Sequence, residues 1–265
     1  MEILVKHLEF YNKNGDPIGG HEIKSQLRIV ESPRSHEYKC GSGVTLKAKP
    51  EKPEKPNSPP CPDPEKERLD TSRIVKVGNS LEIYSGETPE DINPSKVGIK
   101  IVRRDEFGDG SHPTTRMCLE ALSTSDYISN ASLLDFGCGT GVISICAIRL
   151  GAKNCHAIDI RKSARKLALE NISENNLSDK ITLGVDVNKS IGVFDVIVVN
   201  INSEAILSSV EKIKNSAGRS SMILLSGFHE NEIDMIISRC NFFAIPVATY
   251  TSEGWGLIVL KALKK

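Results

Sequence analysis

The stretch Leu134-Asp135-Phe136-Gly137-Cys138-Gly139-Thr140-Gly141 decides how the rest of the chain is read. It joins an apolar run, predicted as a strand over 132–136, to a helical pattern predicted over 142–150. Glycine at 137, 139 and 141 removes side chains where the backbone must turn tightly and let a ligand come close. Ligands of open α/β sheets sit beyond the carboxyl ends of the strands, near the point where strand order reverses. Asp159 closes the next predicted strand, 22 positions after Gly137, where an acid can accept both hydroxyls of a ribose.

Outward from this stretch, helix and strand patterns alternate. Strands are predicted at 132–136, 155–160, 181–185, 194–201, 222–227, 242–249 and 255–260. Helices are predicted at 115–122, 142–150, 161–175, 203–215 and 229–239. Strands separated by helices of this length imply parallel βαβ units with right-handed crossovers. Only Tyr250 to Gly254 separate the last two strands, too few residues for a crossover, so these should pair antiparallel. The expected fold is therefore α/β: a Rossmann-like, seven-stranded, mostly parallel sheet with a C-terminal antiparallel hairpin. That is the layout of class I methyltransferases.

Two nucleotide cofactors compete for such a turn. A dinucleotide site wants G-x-G-x-x-G, with the pyrophosphate on the helix N-terminus. Counting from Gly137 that pattern needs glycine where Val142 stands, and from Gly139 where Ser144 stands. Neither register fits. G-x-G-x-G preceded by an acid, here Asp135, suits S-adenosylmethionine, whose amino-acid portion carries no phosphate.

A second unusual stretch precedes the first helix: Phe107-Gly108-Asp109-Gly110-Ser111-His112-Pro113-Thr114-Thr115. Thr114 or Thr115 is a candidate helix cap. With the glycine turn, Asn200-Ile201 and Leu225-Ser226-Gly227, this stretch resembles the PrmA family, the ribosomal protein L-eleven methyltransferases. The likeness runs from about residue 73 to 263. It implies that Thr115 lies near the methionine portion of S-adenosylmethionine, Gly137 against the cofactor backbone, Asp159 on the ribose and Asn200 beside the sulfonium. Asp186 is a candidate for the adenine amine, and Phe107 could face the cation with its ring. The acceptor implied is a lysine or terminal amine of a protein, ribosomal by family; the alternatives are a small-molecule methyltransferase on the same fold and a non-catalytic S-adenosylmethionine-binding module. His112 and Asp109 are the candidate bases, and Asn200 with the 107–115 loop is expected to line the acceptor entrance. Asp109 stands where the family usually has threonine. Asn200 is followed by Ile201-Asn202 rather than by Pro-Pro-aromatic, which disfavours planar amides and adenine amines as acceptors.

Two shorter segments lie ahead of this part. Residues 1–48 read β-rich, with Ile3 and Val5 alternating and Asn14-Gly15-Asp16 as a turn, and are a candidate recognition segment. Residues 49–70, rich in Pro, Lys and Glu, read as a linker. The methyltransferase part spans 71–265, and opens with strands near 73–77, 80–84 and 97–102, the first two joined by a hairpin turn at Gly78-Asn79.

Lys plus Arg and Asp plus Glu both count 34, so no global field gathers nucleic acid or anionic membrane. Seven cysteines lack any C-x-x-C pair and read as buried thiols in a reducing compartment. No His or Cys spacing suggests a metal, no apolar run spans a membrane and no signal peptide is seen, so the expected location is the cytoplasm.

Overall fold

The computed structural model describes residues 74–79, 81–85, 96–102, 109–187 and 192–263, and the backbone of 29–30, 37–40 and 45–47. The turn at 14–16 and the proline-rich 49–70 lie outside the described residues, as does Phe107. The described residues divide into two units, one within 7–68 and the other within 69–265.

In the first unit, β1 (Ile29–Val30), β2 (Glu37–Cys40) and β3 (Thr45–Lys47) form an antiparallel sheet in that order. The second unit opens with β4 (Val75–Val77), β5 (Leu81–Tyr84) and β6 (Val97–Lys100). β4 and β5 pair antiparallel around Gly78 at φ +51°, as the Gly78-Asn79 signal predicted. β5 and β6 run parallel.

The main sheet has seven strands. These are β7 (Ser132–Phe136), β8 (Asn154–Ile158), β9 (Ile181–Gly184), β10 (Phe194–Asn200), β11 (Ala217–His229), β12 (Ala244–Ser252) and β13 (Trp255–Ala262). Their order is β12-β13-β11-β10-β7-β8-β9. β13 alone runs against its neighbours, pairing antiparallel with both β11 and β12. Helices α1 (Pro113–Ser123), α2 (Val142–Arg149), α3 (Lys162–Glu174), α4 (Ser203–Ser216) and α5 (Ile233–Cys240) cover the two faces.

Side-chain alternation in the central strands feeds two cores. Leu133, Val196, Val198, Leu224, Leu257 and Val259 face α1, α2 and the small β4–β6 sheet. Leu134, Ile197, Val199, Ile223, Leu225, Ile258 and Leu260 face α4 and α5. Each fully buried aliphatic of this kind stabilises the fold by about 1.5–3 kcal/mol, so both faces are firmly seated.

Several boundaries differ from the sequence reading. α1 starts at Pro113, and its cap is His112, not Thr114 or Thr115: the His112 ring accepts the Thr114 N–H. Proline suits the first helical position, where its missing N–H costs nothing. The strand expected at 222–227 extends from 217 to 229, because Phe194 already pairs with Ala217. The helix expected at 229–239 begins only at Ile233, after a single 3-10 turn over Glu230–Glu232.

Candidate functional site

β7 lies between β10 and β8, so the chain's crossovers leave it in opposite directions and open a crevice at its carboxyl end. There a cleft of about 590 Å³ opens, within the usual size of a small-molecule site. Gly137, Gly139, Asp159, Asp186, Asn200, Thr115 and His112 line it. Asp109, Asp135 and Gly141 do not.

The glycine turn forms its floor. Gly137, Gly139 and Gly141 all have positive φ, at +83°, +53° and +80°. A side chain on Gly137 would run into the Ile201 methyl, and Gly141 sits against Ala168. The Gly137 and Cys138 N–H groups both bond the Ile158 carbonyl, at 2.8 and 2.9 Å, tying the turn to the end of β8. Asp135 has a separate task. Its fully buried carboxylate accepts from the Ser144 hydroxyl at 2.6 Å and from the Ser144 N–H at 3.2 Å. It thus satisfies an orphan donor in the first turn of α2, which has no side-chain cap of its own. Burial pushes the Asp135 carboxyl up to about 6, against the opposing pull of the Ser144 bonds.

Asp159 sits at the end of β8 and is nearly buried. It accepts from the Gly139 N–H at 3.0 Å and the Arg161 N–H at 2.9 Å. The Arg161 guanidinium also pairs with Oδ1, at 3.5 Å, and Oδ2, with one of its two acceptor positions used, keeps the other for a ligand. The Arg165 guanidinium donates to the carbonyls of Asp159 and Ile160, at 2.6 and 3.0 Å, and fixes this corner.

Asn200, the last residue of β10, donates from Nδ2 to the Thr115 hydroxyl at 3.2 Å. Its Oδ1 is buried without a hydrogen-bond partner. An orphaned buried acceptor is costly, about 1–3 kcal/mol, and such a group in a cleft marks a place for an incoming donor. Asn171 braces the floor from behind. Its buried amide donates to the Thr140 carbonyl at 2.9 Å and accepts the Val102 N–H at 2.7 Å.

Trp255, which the sequence did not point to, also lines the cleft. Glu253 and Gly254 both have positive φ, the signature of a two-residue type I′ turn. That turn returns Trp255 to pair with His229. Their rings stack at 4.4 Å, and the His112 ring meets the Trp255 ring edge-on at 4.8 Å. Nothing in the local pattern around the chain's single tryptophan pointed to the cleft; the contact arises from strand pairing. Burial holds the His112 imidazole below its ordinary value, although Asp109 and Glu253 pull it upward. Asp109 itself organises the loop, accepting from the Ser111 N–H at 2.8 Å and hydroxyl at 2.6 Å.

The sheet order, the glycine turn and the acid after the second parallel strand define a protein of the class I methyltransferase fold. Residues 64–263 match the family described as "Ribosomal protein L11 methyltransferase (PrmA)". The chain belongs to that family and is a methyltransferase. It is 29% identical over 196 residues to a ribosomal protein L11 methyltransferase of Legionella pneumophila, covering 74% of this chain and 67% of that one. A ribosomal protein L11 methyltransferase of Prochlorococcus marinus is 35% identical over 181 residues, covering 64% and 58%. The solved structure of a ribosomal protein L11 methylase from Lactobacillus delbrueckii subsp. bulgaricus superposes with a TM-score of 0.65 at 21% identity, over 72% of this chain and 98% of that one. Among the described residues, no helix is long and apolar enough to cross a membrane.

Proposed function

We propose that the cleft binds S-adenosylmethionine and that the chain methylates an amine of a protein, a ribosomal protein by its family, in the cytoplasm. One observation carries the reading: at a single crevice the glycine turn, the Asp159 carboxylate and the unpartnered Asn200 Oδ1 converge. Those residues fit the cofactor's parts. The bare backbone at Gly137 and Gly139 leaves room for the amino-acid portion, Asp159 keeps an acceptor position on Oδ2 for a ribose hydroxyl, and Thr115 and Asn200 lie by the reacting end. When bound, this cofactor supplies a methyl group already activated on a sulfonium.

The chain's own task is alignment and exclusion of water. Asn200, held by Thr115, offers Oδ1 to an N–H of the incoming amine. The Trp255 ring, which lines the cleft, gives that entrance an apolar flank that favours the uncharged amine. His112, held neutral by burial, can take up the proton such an amine sheds. With Nδ1 accepting the Thr114 N–H, the hydrogen of the neutral ring sits on Nε2, so Nδ1 is the nitrogen that would take the proton, releasing Thr114 as it does so. Residues 1–48 are proposed to recognise the protein substrate, with 49–70 as the tether.

The reading is tested by incubating the full chain with methyl-labelled S-adenosylmethionine and a ribosomal protein fraction. Label should enter a protein band and survive on lysine or a terminal amine. Asn200→Ala should lower turnover on the order of 100-fold, the scale of a misplaced reactant, while its melting curve stays cooperative. Label confined to small molecules would move the acceptor to another class.

A further inference from the structure

Two strands, β7 and β8, separate Asn200 on β10 from the far side of the cleft, where Asp186 follows β9. Neighbouring strands lie about 4.8 Å apart, so Asp186 serves a different part of any ligand from the part Asn200 serves. Its carboxylate is held from two directions. Oδ1 accepts the Val187 N–H at 2.8 Å, and Oδ2 meets the Lys212 ammonium at 2.5 Å. Both anchors rest on packed elements. Val187 packs against the core beneath α4, and Lys212 stands on α4 between the buried Val210 and Ile213. Beside this pair, Val185 and Ile160 leave apolar surface in solvent, at 55% and 83% exposed. All four residues line the cleft. A flat apolar flank ending in an oriented carboxylate suits a planar base with an amine on its edge.

We propose that Lys212 is a positioning residue for Asp186, and that the pair selects a base carrying an exocyclic amine over one carrying a carbonyl at that edge. The inference rests on the cofactor reading above, with Asp186 expected at the adenine amine, and adds Lys212 to that end of the site. Two carboxylate lone pairs are occupied and two remain. The amine of adenine can donate to one of them; the carbonyl of hypoxanthine would meet carboxylate oxygen instead. Both side chains are about half exposed, at 49% and 46%, so the pair adds little to folding. Its effect is to fix the carboxylate before the ligand arrives, which spares the binding step the cost of ordering it.

Calorimetric titration of the full chain with S-adenosylhomocysteine and with its hypoxanthine counterpart, S-inosylhomocysteine, tests this. The wild type should bind the adenine compound more tightly. Lys212→Met should weaken that compound by roughly threefold to tenfold, the scale of one ordered side chain. The hypoxanthine compound should change by less than about twofold, so that the preference falls. Lys212→Arg should restore it, and the melting temperature of both variants should match the wild type. Equal weakening of both compounds, or an unchanged preference, would overturn the assignment of Lys212 while leaving the cofactor reading intact. Failure of the wild type to bind S-adenosylhomocysteine at all would instead overturn the cofactor reading and this inference with it.

Discussion

At the scale of single residues, two positions separate what the glycine turn does from what its acid does. Gly137 combines φ +83° with a Cα that faces the Ile201 methyl. Gly137→Ala should therefore cost about 1–3 kcal/mol and weaken cofactor binding as well, readable by urea melts and calorimetry. Full stability in the alanine variant would show that the turn relaxes freely. Asp135 precedes the turn by two positions, and its chemistry is internal. Its folded carboxyl titrates near 6 against 3.8 for the free group. Since the folded state holds this proton to higher pH, the group's contribution to stability falls as pH rises from about 4 to about 6, and it is smallest above that window. Asp135→Asn keeps an acceptor for Ser144 but cannot titrate. Moving from pH 7 to pH 5 should then stabilise the wild type relative to that variant by roughly 1 kcal/mol. A stability difference that ignores pH would contradict the burial of an ionised group there.

At the scale of elements, the braces matter more than the strands they join. Asn171 on α3 reaches the Thr140 carbonyl in the glycine turn and the Val102 N–H just after β6. It links the floor of the cleft to the small sheet. Asn171→Ala leaves a donor and an acceptor behind, at about 1–3 kcal/mol each, so a loss of about 2–6 kcal/mol is expected in chemical denaturation. A loss below 1 kcal/mol would mean that water or the backbone fills the gap. The elements themselves were largely legible beforehand. Runs such as Val196 to Val199 are apolar on both faces, which only a strand covered on both sides requires. The Tyr250–Gly254 gap forced the antiparallel hairpin. Less visible was the start of β11, where Gly218, Arg219, Ser220 and Ser221 look like a loop; Ser221 nonetheless bonds the Phe194 carbonyl at 2.6 Å and draws the segment into the sheet. The His112 cap was also hidden, because histidine is not among the usual capping residues.

At the scale of the whole molecule, half of the site is local in sequence and half is made by topology. Gly137, Gly139 and Asp159 declare themselves by spacing along adjoining strands and turns. Trp255 lines the cleft only when β13 inserts between β11 and β12 and brings its first residue there. Lys212 is likewise an ordinary helical lysine until α4 carries it to Asp186. On the proposed function, one cleft, at the carboxyl ends of β7, β8 and β10, holds S-adenosylmethionine with its sugar on Asp159. A crystal structure of the full chain grown with S-adenosylhomocysteine tests it most directly. The ribose hydroxyls should lie within hydrogen-bonding distance of the Asp159 carboxylate and the sulfur should lie next to Asn200. A ligand seated elsewhere, or a sugar that leaves Asp159 untouched, would contradict it.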